Sequence, residues 1–186
     1  AAIFEMHDEG LRVVENPSAA LLAERQNLDG SIVLATMEGA RPLLVEIQAL
    51  VNPTSFGYPK RTASGFDLNR LNLLIAVLEK RTKLTLSDKD IFVNVVGGLK
   101  LSDPAADLAV VMAIASASAG RTLNDGVVVF GEVGLGGEVR SATQWHARIK
   151  EAKKLGFTFA IAPKTHKNNF VHGVTDLRQA LIDYLQ

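Results

Sequence analysis

Asp103 and Asp107 stand four residues apart in LSDPAADLAVVMAIASASAG, residues 101–120, at the head of a run that is otherwise small or apolar. Two carboxylates on one face of a helix are a candidate acid–base couple. They are also what a helix N-terminus uses for itself, the first residue as cap and the second facing the dipole. The pattern favours the capping account. A helix start further offers free N–H groups to a developing oxyanion, and a serine hydroxyl activated by a lysine of lowered pKa would be the matching nucleophile. Ser102, Ser116, Ser118 and Lys150 are the side chains from which such a dyad could be drawn. Ser102 precedes the cap and Ser116 lies roughly 16 Å further along the helix, so neither sits where that chemistry needs it.

A second stretch, FGYPKRTASGFDLNR, places Lys60, Arg61 and Arg70 beside Phe56 and Tyr58. Bases held in an irregular loop can follow phosphates with an affinity that falls as salt rises, and the rings can stack. A solvated loop with packed aromatics fits the same residues equally well; it is the family resemblance given below that makes Lys60, Arg61 and Arg70 the candidate DNA-binding residues. A later basic block, Arg148, Lys150, Lys153, Lys154, Lys164 and Lys167, reads as a solvated helix face. The histidines, His7, His146, His166 and His172, show no i, i+4 pairing around a carboxylate, so no metal site is expected and all four read as surface residues. The absence of cysteine removes disulfides and thiolate zinc sites.

The elements that must position these residues follow from periodicity. IFEMHDEGLRVV reads as two short strands about a turn, and NPSAALLAERQ as a short helix capped by Asn16 or Ser18. GSIVLATMEGARPLLVEIQALV reads as a hairpin, and the next stretch, NPTSFGYPKRTASGF, as irregular. DLNRLNLLIAVLEKR carries apolar residues at 68, 71, 74, 75 and 78, a helical stripe capped by Asp67. DIFVNVVGG is a buried strand, Asp103-Pro104 opens a helix, and GVVVFGEVGLGGEV is strand, glycine turn and strand. TQWHARIKEAKKLGF is a helix closing on Gly156, FAIAP a strand, and TDLRQALIDYL a helix capped by Thr175. The expected architecture is one α+β domain over 1–186, a sandwich of sheets with helices packed on it.

At 47% hydrophobic and 22% charged, the 186-residue chain has enough apolar surface to order itself, and no uncharged run is long enough to span a membrane. The zero net charge hides an asymmetry. Residues 58–83 hold six bases against two acids and 140–172 seven against one, whereas 1–40 and 84–139 each hold seven acids. Such blocks suit a polyanion on one face, and the acidic ones are expected to pair head-to-tail with basic faces of neighbouring copies. The absence of an initiator methionine suggests a fragment of a longer chain.

GLKLSDPAADLAVVMAIASA, VVVFGEVGLGGEVR and FAIAPK resemble the proteolytic domain of the Lon family. The resemblance implies a Lon proteolytic-domain-like fold (ribosomal protein S5 domain 2-like) with mixed sheets and packed helices. That family cuts peptides with a serine–lysine dyad, and its register places Ala105 at the serine and His146 near the lysine. A degenerate dyad, with no catalytic residue, is thus expected. NPSAALLAERQNLDGSIVLATMEGARPLLVEIQALV and FGYPKRTASGFDLNRLNLLIAVLEKR are similar to the C-terminal domain of the bacterial RadA (Sms) family, over nearly all of residues 3–186. This implies DNA repair and homologous recombination with branch migration, a cytoplasmic homo-hexameric ring, contact with single-stranded or duplex DNA, and a recombinase partner. ATP, Mg and Zn are expected in an upstream part, making the parent a DNA-dependent ATPase or helicase. Because no Gly-x4-Gly-Lys-Ser/Thr occurs, the fragment itself is expected to be no enzyme and to hold no cofactor. The alternatives are a Lon-like serine peptidase with an unrecognised dyad, and a pure oligomerisation scaffold.

Overall fold

A computed structural model describes residues 3–13 and 15–185. The first two strands, β1 (Phe4–His7) and β2 (Gly10–Val13), form an antiparallel ribbon; Val14, the last residue of the predicted pair, lies outside the described residues. Helix α1 (Pro17–Leu22) follows, with the Asn16 carboxamide oxygen accepting from Ala19 N at 3.1 Å. Ser18, the other candidate cap, is instead buried, accepting from Leu44 N and donating to Glu151.

β3 (Ser31–Glu38) and β4 (Arg41–Pro53) make the predicted hairpin, and the turn is only Gly39-Ala40, with Glu38 paired to Arg41. A tight hairpin of this kind needs left-handed backbone, which Gly39 supplies at φ 60°. The irregular stretch is shorter than the sequence suggests. Arg61–Ser64 is an edge strand, β5, parallel to β6 (Lys89–Val95), and helix α2 (Leu68–Arg81) connects the two. The four residues of β5 alternate half-buried and exposed, too short a run for periodicity to identify. The stripe of α2 is buried at Leu71, Leu74, Ile75 and Leu78, whereas Leu68 stays 45% exposed at the first turn.

Asp103 caps a single tight turn, Pro104–Ala106, that runs into α3 (Asp107–Ala119), and the helix stops at left-handed Gly120. Every residue from Leu108 to Ala115 is buried. A helix apolar on all sides must be covered on all sides; α3 lies on β3 and β4 with α2 and α5 (Leu177–Tyr184) over it. Between them come β7 (Val127–Val129), the small pair β8 (Glu132–Val133) and β9 (Val139–Arg140), α4 (Trp145–Lys154), β10 (Phe159–Pro163) and β11 (Val171–Val174). β11 was not anticipated. The cap of α5 is Asp176, which accepts from Gln179 N at 2.9 Å, rather than Thr175.

The expected sandwich is replaced by one seven-stranded mixed sheet in the order β11-β10-β7-β3-β4-β6-β5, flanked by two two-stranded ribbons. The class is α+β. β3 is buried from Ser31 to Met37, so helices cover both its faces. α3 with α2 and α5 takes one, and α1 with α4, joined by the Ser18–Glu151 hydrogen bond, takes the other over β3 and the first half of β4. Among the described residues no helix covers that side of the second half of β4, β6 and β5.

Gly30 is where α3 meets the hairpin. Its N–H donates to Ser116 Oγ at 2.8 Å, its carbonyl accepts from Ala49 N at 2.9 Å, and a Cβ there would lie 2.3 Å from the Ala49 carbonyl oxygen. With φ at +84°, Gly30→Ala is expected to destabilise by more than about 1 kcal/mol, read as a lower denaturation midpoint at unchanged m-value.

Candidate functional site

Asp103 does more than cap. One carboxylate oxygen accepts from Ala105 N (3.1 Å), the other from Thr36 Oγ1 (3.0 Å) and Met37 N (3.2 Å), and the guanidinium of Arg148 grips both. Arg148 has no exposed surface. Its remaining donors reach Ala35 O and Thr143 O, each at 2.9 Å, and it lies 5.6 Å over the Phe130 ring. The solvated-face reading of Arg148 is therefore corrected: α4 turns this one cation of its basic block inward. Burial raises the Asp103 pKa, but the hydrogen bonds and charge of Arg148 and the two amides outweigh it, and the carboxyl titrates below its usual value.

One turn on, Asp107 is also buried and is clasped by Arg70 from α2, whose Nε donates to Oδ1 at 3.0 Å. Val133 N donates to the same carboxylate at 3.1 Å, and Arg70 reaches Val133 O. The hydrogen bond to Asp107 pushes the Arg70 pKa further up. The two acids of SDPAAD thus serve two ion pairs, not one acid–base couple. Both pairs join a basic block to the acidic block 84–139 within the chain, where the charge pattern had suggested neighbours.

Between them Ala105 is buried, its carbonyl accepting from Gly131 N at 2.8 Å. His146 is exposed and stacks on Trp145 at 3.6 Å. Ser116, buried, accepts from Gly30 N and donates to Arg121 O. Ser102 and Lys150 are exposed. His166 departs from the surface reading: it is buried, stacked on Trp145 at 4.8 Å, with Nε2 accepting from Ala142 N at 2.9 Å. Desolvation and the charge of Arg148 lower its pKa, so it is neutral. Among the described residues no group of three or more His, Cys, Asp or Glu is placed to hold a metal, and no helix is long and apolar enough to cross a membrane. A cleft of about 310 Å³ opens beside the helix start, lined by Phe66, Asp67, Arg70, Ser102, Asp107 and Glu132 among others.

The candidate DNA residues fall into two kinds. Lys60 is exposed. Arg61 donates to the carbonyls of Leu86 (2.9 Å) and Lys89, and Arg70 to Asp107, so these guanidiniums already have partners. What the residues 54–60 do present is Phe56, 90% exposed, and Tyr58, 88% exposed. Asp90 ties the base of this loop, accepting from Lys60 N (2.8 Å) and Thr54 Oγ1 (3.0 Å); the Lys60 amide is the main cause of its lowered pKa. Neither this tie nor the two buried ion pairs leaves a sequence signal beyond the presence of the charges, because each joins residues at least thirty apart.

Comparison with known proteins gives a match of residues 62–166 to the family described as subunit ChlI of Mg-chelatase. DNA repair protein RadA of Bacillus subtilis is 49% identical over 96% of this chain and 41% of its own length. RadA of Aquifex aeolicus is 48% identical over 88% and 37%, and that of Helicobacter pylori 45% identical over 87% and 36%. The chain spans about two fifths of the length of these curated relatives. The expectation that the fragment is no enzyme is corrected here. Residues 62–166, more than half of the chain, match a family named for a subunit of an enzyme, and the missing Walker motif does not by itself set that match aside.

Asp103→Asn would leave the buried Arg148 charge unpaired, at an expected cost of about 3–5 kcal/mol at neutral pH. Asp103→Leu combined with Arg148→Met should recover most of that loss in chemical denaturation. Because the folded-state pKa of Asp103 is lowered, its contribution is present above its unfolded pKa of about 3.9 and is lost as pH falls through the folded value. Acid titration followed by circular dichroism should show that part of the slope in the wild type and not in Asp103→Asn.

Proposed function

The chain belongs to the RadA family of DNA repair proteins, its residues 62–166 carrying the ChlI-type segment, and from that premise we propose that it is the DNA-contacting and ring-assembling part of a repair ATPase. Its role in this reading is in homologous recombination and branch migration. The whole protein works in the cytoplasm as a homo-hexamer, with ATP and Mg driving movement on DNA, Zn held in another part, and a recombinase as partner. The mixed sheet with α3 against it is taken as a Lon-like scaffold, a single domain.

The observation that carries the reading is Lys60, exposed at the end of a fixed loop that also presents Phe56 and Tyr58. Among the described residues Lys60 is locked in no ion pair; its charge acts on the nearby Asp90 carboxylate, whose pKa it helps to lower, and a phosphate would compete with that acid. Arg61 and Arg70 contribute in a different way. Arg61 holds β5 to the segment before β6, and Arg70 anchors α2, so both set the position of the loop and add positive potential around it. A six-membered ring would repeat the patch around a channel, raising affinity by avidity without new contacts.

Fluorescence anisotropy with labelled DNA across a salt series tests this. The wild-type chain should bind with a strong inverse dependence on salt, and Lys60→Ala should weaken binding and reduce the log–log slope by about 1 while leaving the melting temperature unchanged. Arg70→Ala should lower both binding and melting temperature. A wild-type chain that binds no DNA at low salt, while sedimenting as a ring, would leave assembly alone as the function.

A further inference from the structure

The side of the sheet opposite α3 is covered by α1 and α4 only over β3 and the start of β4. Beyond that point three strands lie open. Register fixes what they present: Gln48, Asn94 and Ser64 in one row, Leu50, Phe92 and Thr62 in the next, then Asn52 and Asp90 beside Lys60. Of these, Gln48, Leu50, Asn52, Thr62, Ser64 and Asn94 are exposed, and Phe92 is half-buried between the fully buried Ile91 and Val93 that face the core. Leu50 alone keeps 55% of its surface in water.

This face has a distinct chemistry. An aromatic ring lies at its centre, amides and hydroxyls surround it, and its one carboxylate, Asp90, is spent on Thr54 and Lys60. Two further rings, Phe56 and Tyr58, stand at one end with Lys60. At the opposite end Glu24 and Asp29 line the depression next to Gln48, where Glu46 is buried and paired with Arg25 at 4.0 Å, so a polyanion is favoured at the Lys60 end over the other. Lys89 is paired with Asp88 at 3.5 Å and adds no free charge. Stacked bases in a duplex hide their faces, whereas a single strand offers them to protein rings and its polar edges to amides and hydroxyls.

We infer that the open face of β4, β6 and β5, with loop 54–60 at its end, is a stacking platform for single-stranded DNA. Bases lie against Phe92, Tyr58 and Phe56, Lys60 meets the backbone phosphate, and Asn52, Thr62 and Asn94 reach base edges. The inference rests on the DNA-contacting reading above and narrows it to unpaired strands.

Anisotropy with a fluorescein-labelled oligothymidine of about 20 nucleotides and a duplex of equal length separates the two. The wild-type chain should prefer the single strand by about tenfold or more. Phe56→Ala with Tyr58→Ala should lose about 10- to 100-fold on the single strand and nothing on the duplex, at an unchanged melting temperature because both rings are exposed. Thr62→Glu, placing a charge mid-face, should weaken the single strand in the same way. Equal affinity for both forms, untouched by the double aromatic variant, overturns the platform while DNA contact stands. No binding of either form by the wild type overturns both readings. An aromatic variant that breaks an oligomer but keeps wild-type single-strand affinity assigns the face to a second copy and overturns the platform.

Discussion

A guanidinium cut off from water must find in the protein every partner that water would have given it, and Arg148 does so. It takes both oxygens of Asp103, the carbonyls of Ala35 and Thr143, and the face of Phe130. Those contacts come from α4, β3, the end of β7 and the cap of α3, so one side chain fixes the relative placement of elements on both faces of the sheet. Paired burial of this kind adds little net stability over an apolar core of equal volume. Its effect is on arrangement, since any packing that parts the two charges is heavily penalised.

Arg70 and Asp107 repeat the device one turn along, joining α2 to α3 and to the amide of Val133. Together the pairs remove two acids and two bases from the outside of a chain whose formal charge is zero. Equal numbers of acids and bases are engaged, so the balance of charge is unchanged; Lys60, Lys150, Lys153 and Lys154 are among the bases that stay exposed. The start of α3, which has the look of a nucleophile site, is given over to structural charge: its donors cap against Asp103, its methyl at Ala105 is buried, and its flanking acids are occupied. The face of the second half of β4, β6 and β5 turned away from α2 and α3 carries no described helix, and it is the surface for which a ligand is proposed.

Much of the fold was readable from pattern. Near-continuous apolar runs such as SIVLATM mark central strands buried on both sides, and the all-round apolar α3 could only be an inner helix. The stripe of α2 and the caps at Asn16, Asp67 and Asp103 follow from local chemistry that acts within a turn. β5, β11 and the cap of α5 were missed or misplaced. Four-residue strands carry too few positions to show a period, and Thr175 and Asp176 are adjacent residues of equal capping ability.

The sequence by itself determined the class, the starts of α1, α2 and the turn into α3, and the presence of a basic, aromatic loop, because each is written in neighbours along the chain. Only the tertiary structure decided which charges face water. Arg61, Arg70 and Arg148 look like Lys60 on paper, and the difference is a partner brought from 25 to 63 residues away. It also decided that His166 is an inner, neutral ring and that Thr62, Phe92 and Leu50 stand in one row. Burial and cross-strand register are set by where distant segments meet, and no local pattern carries that information.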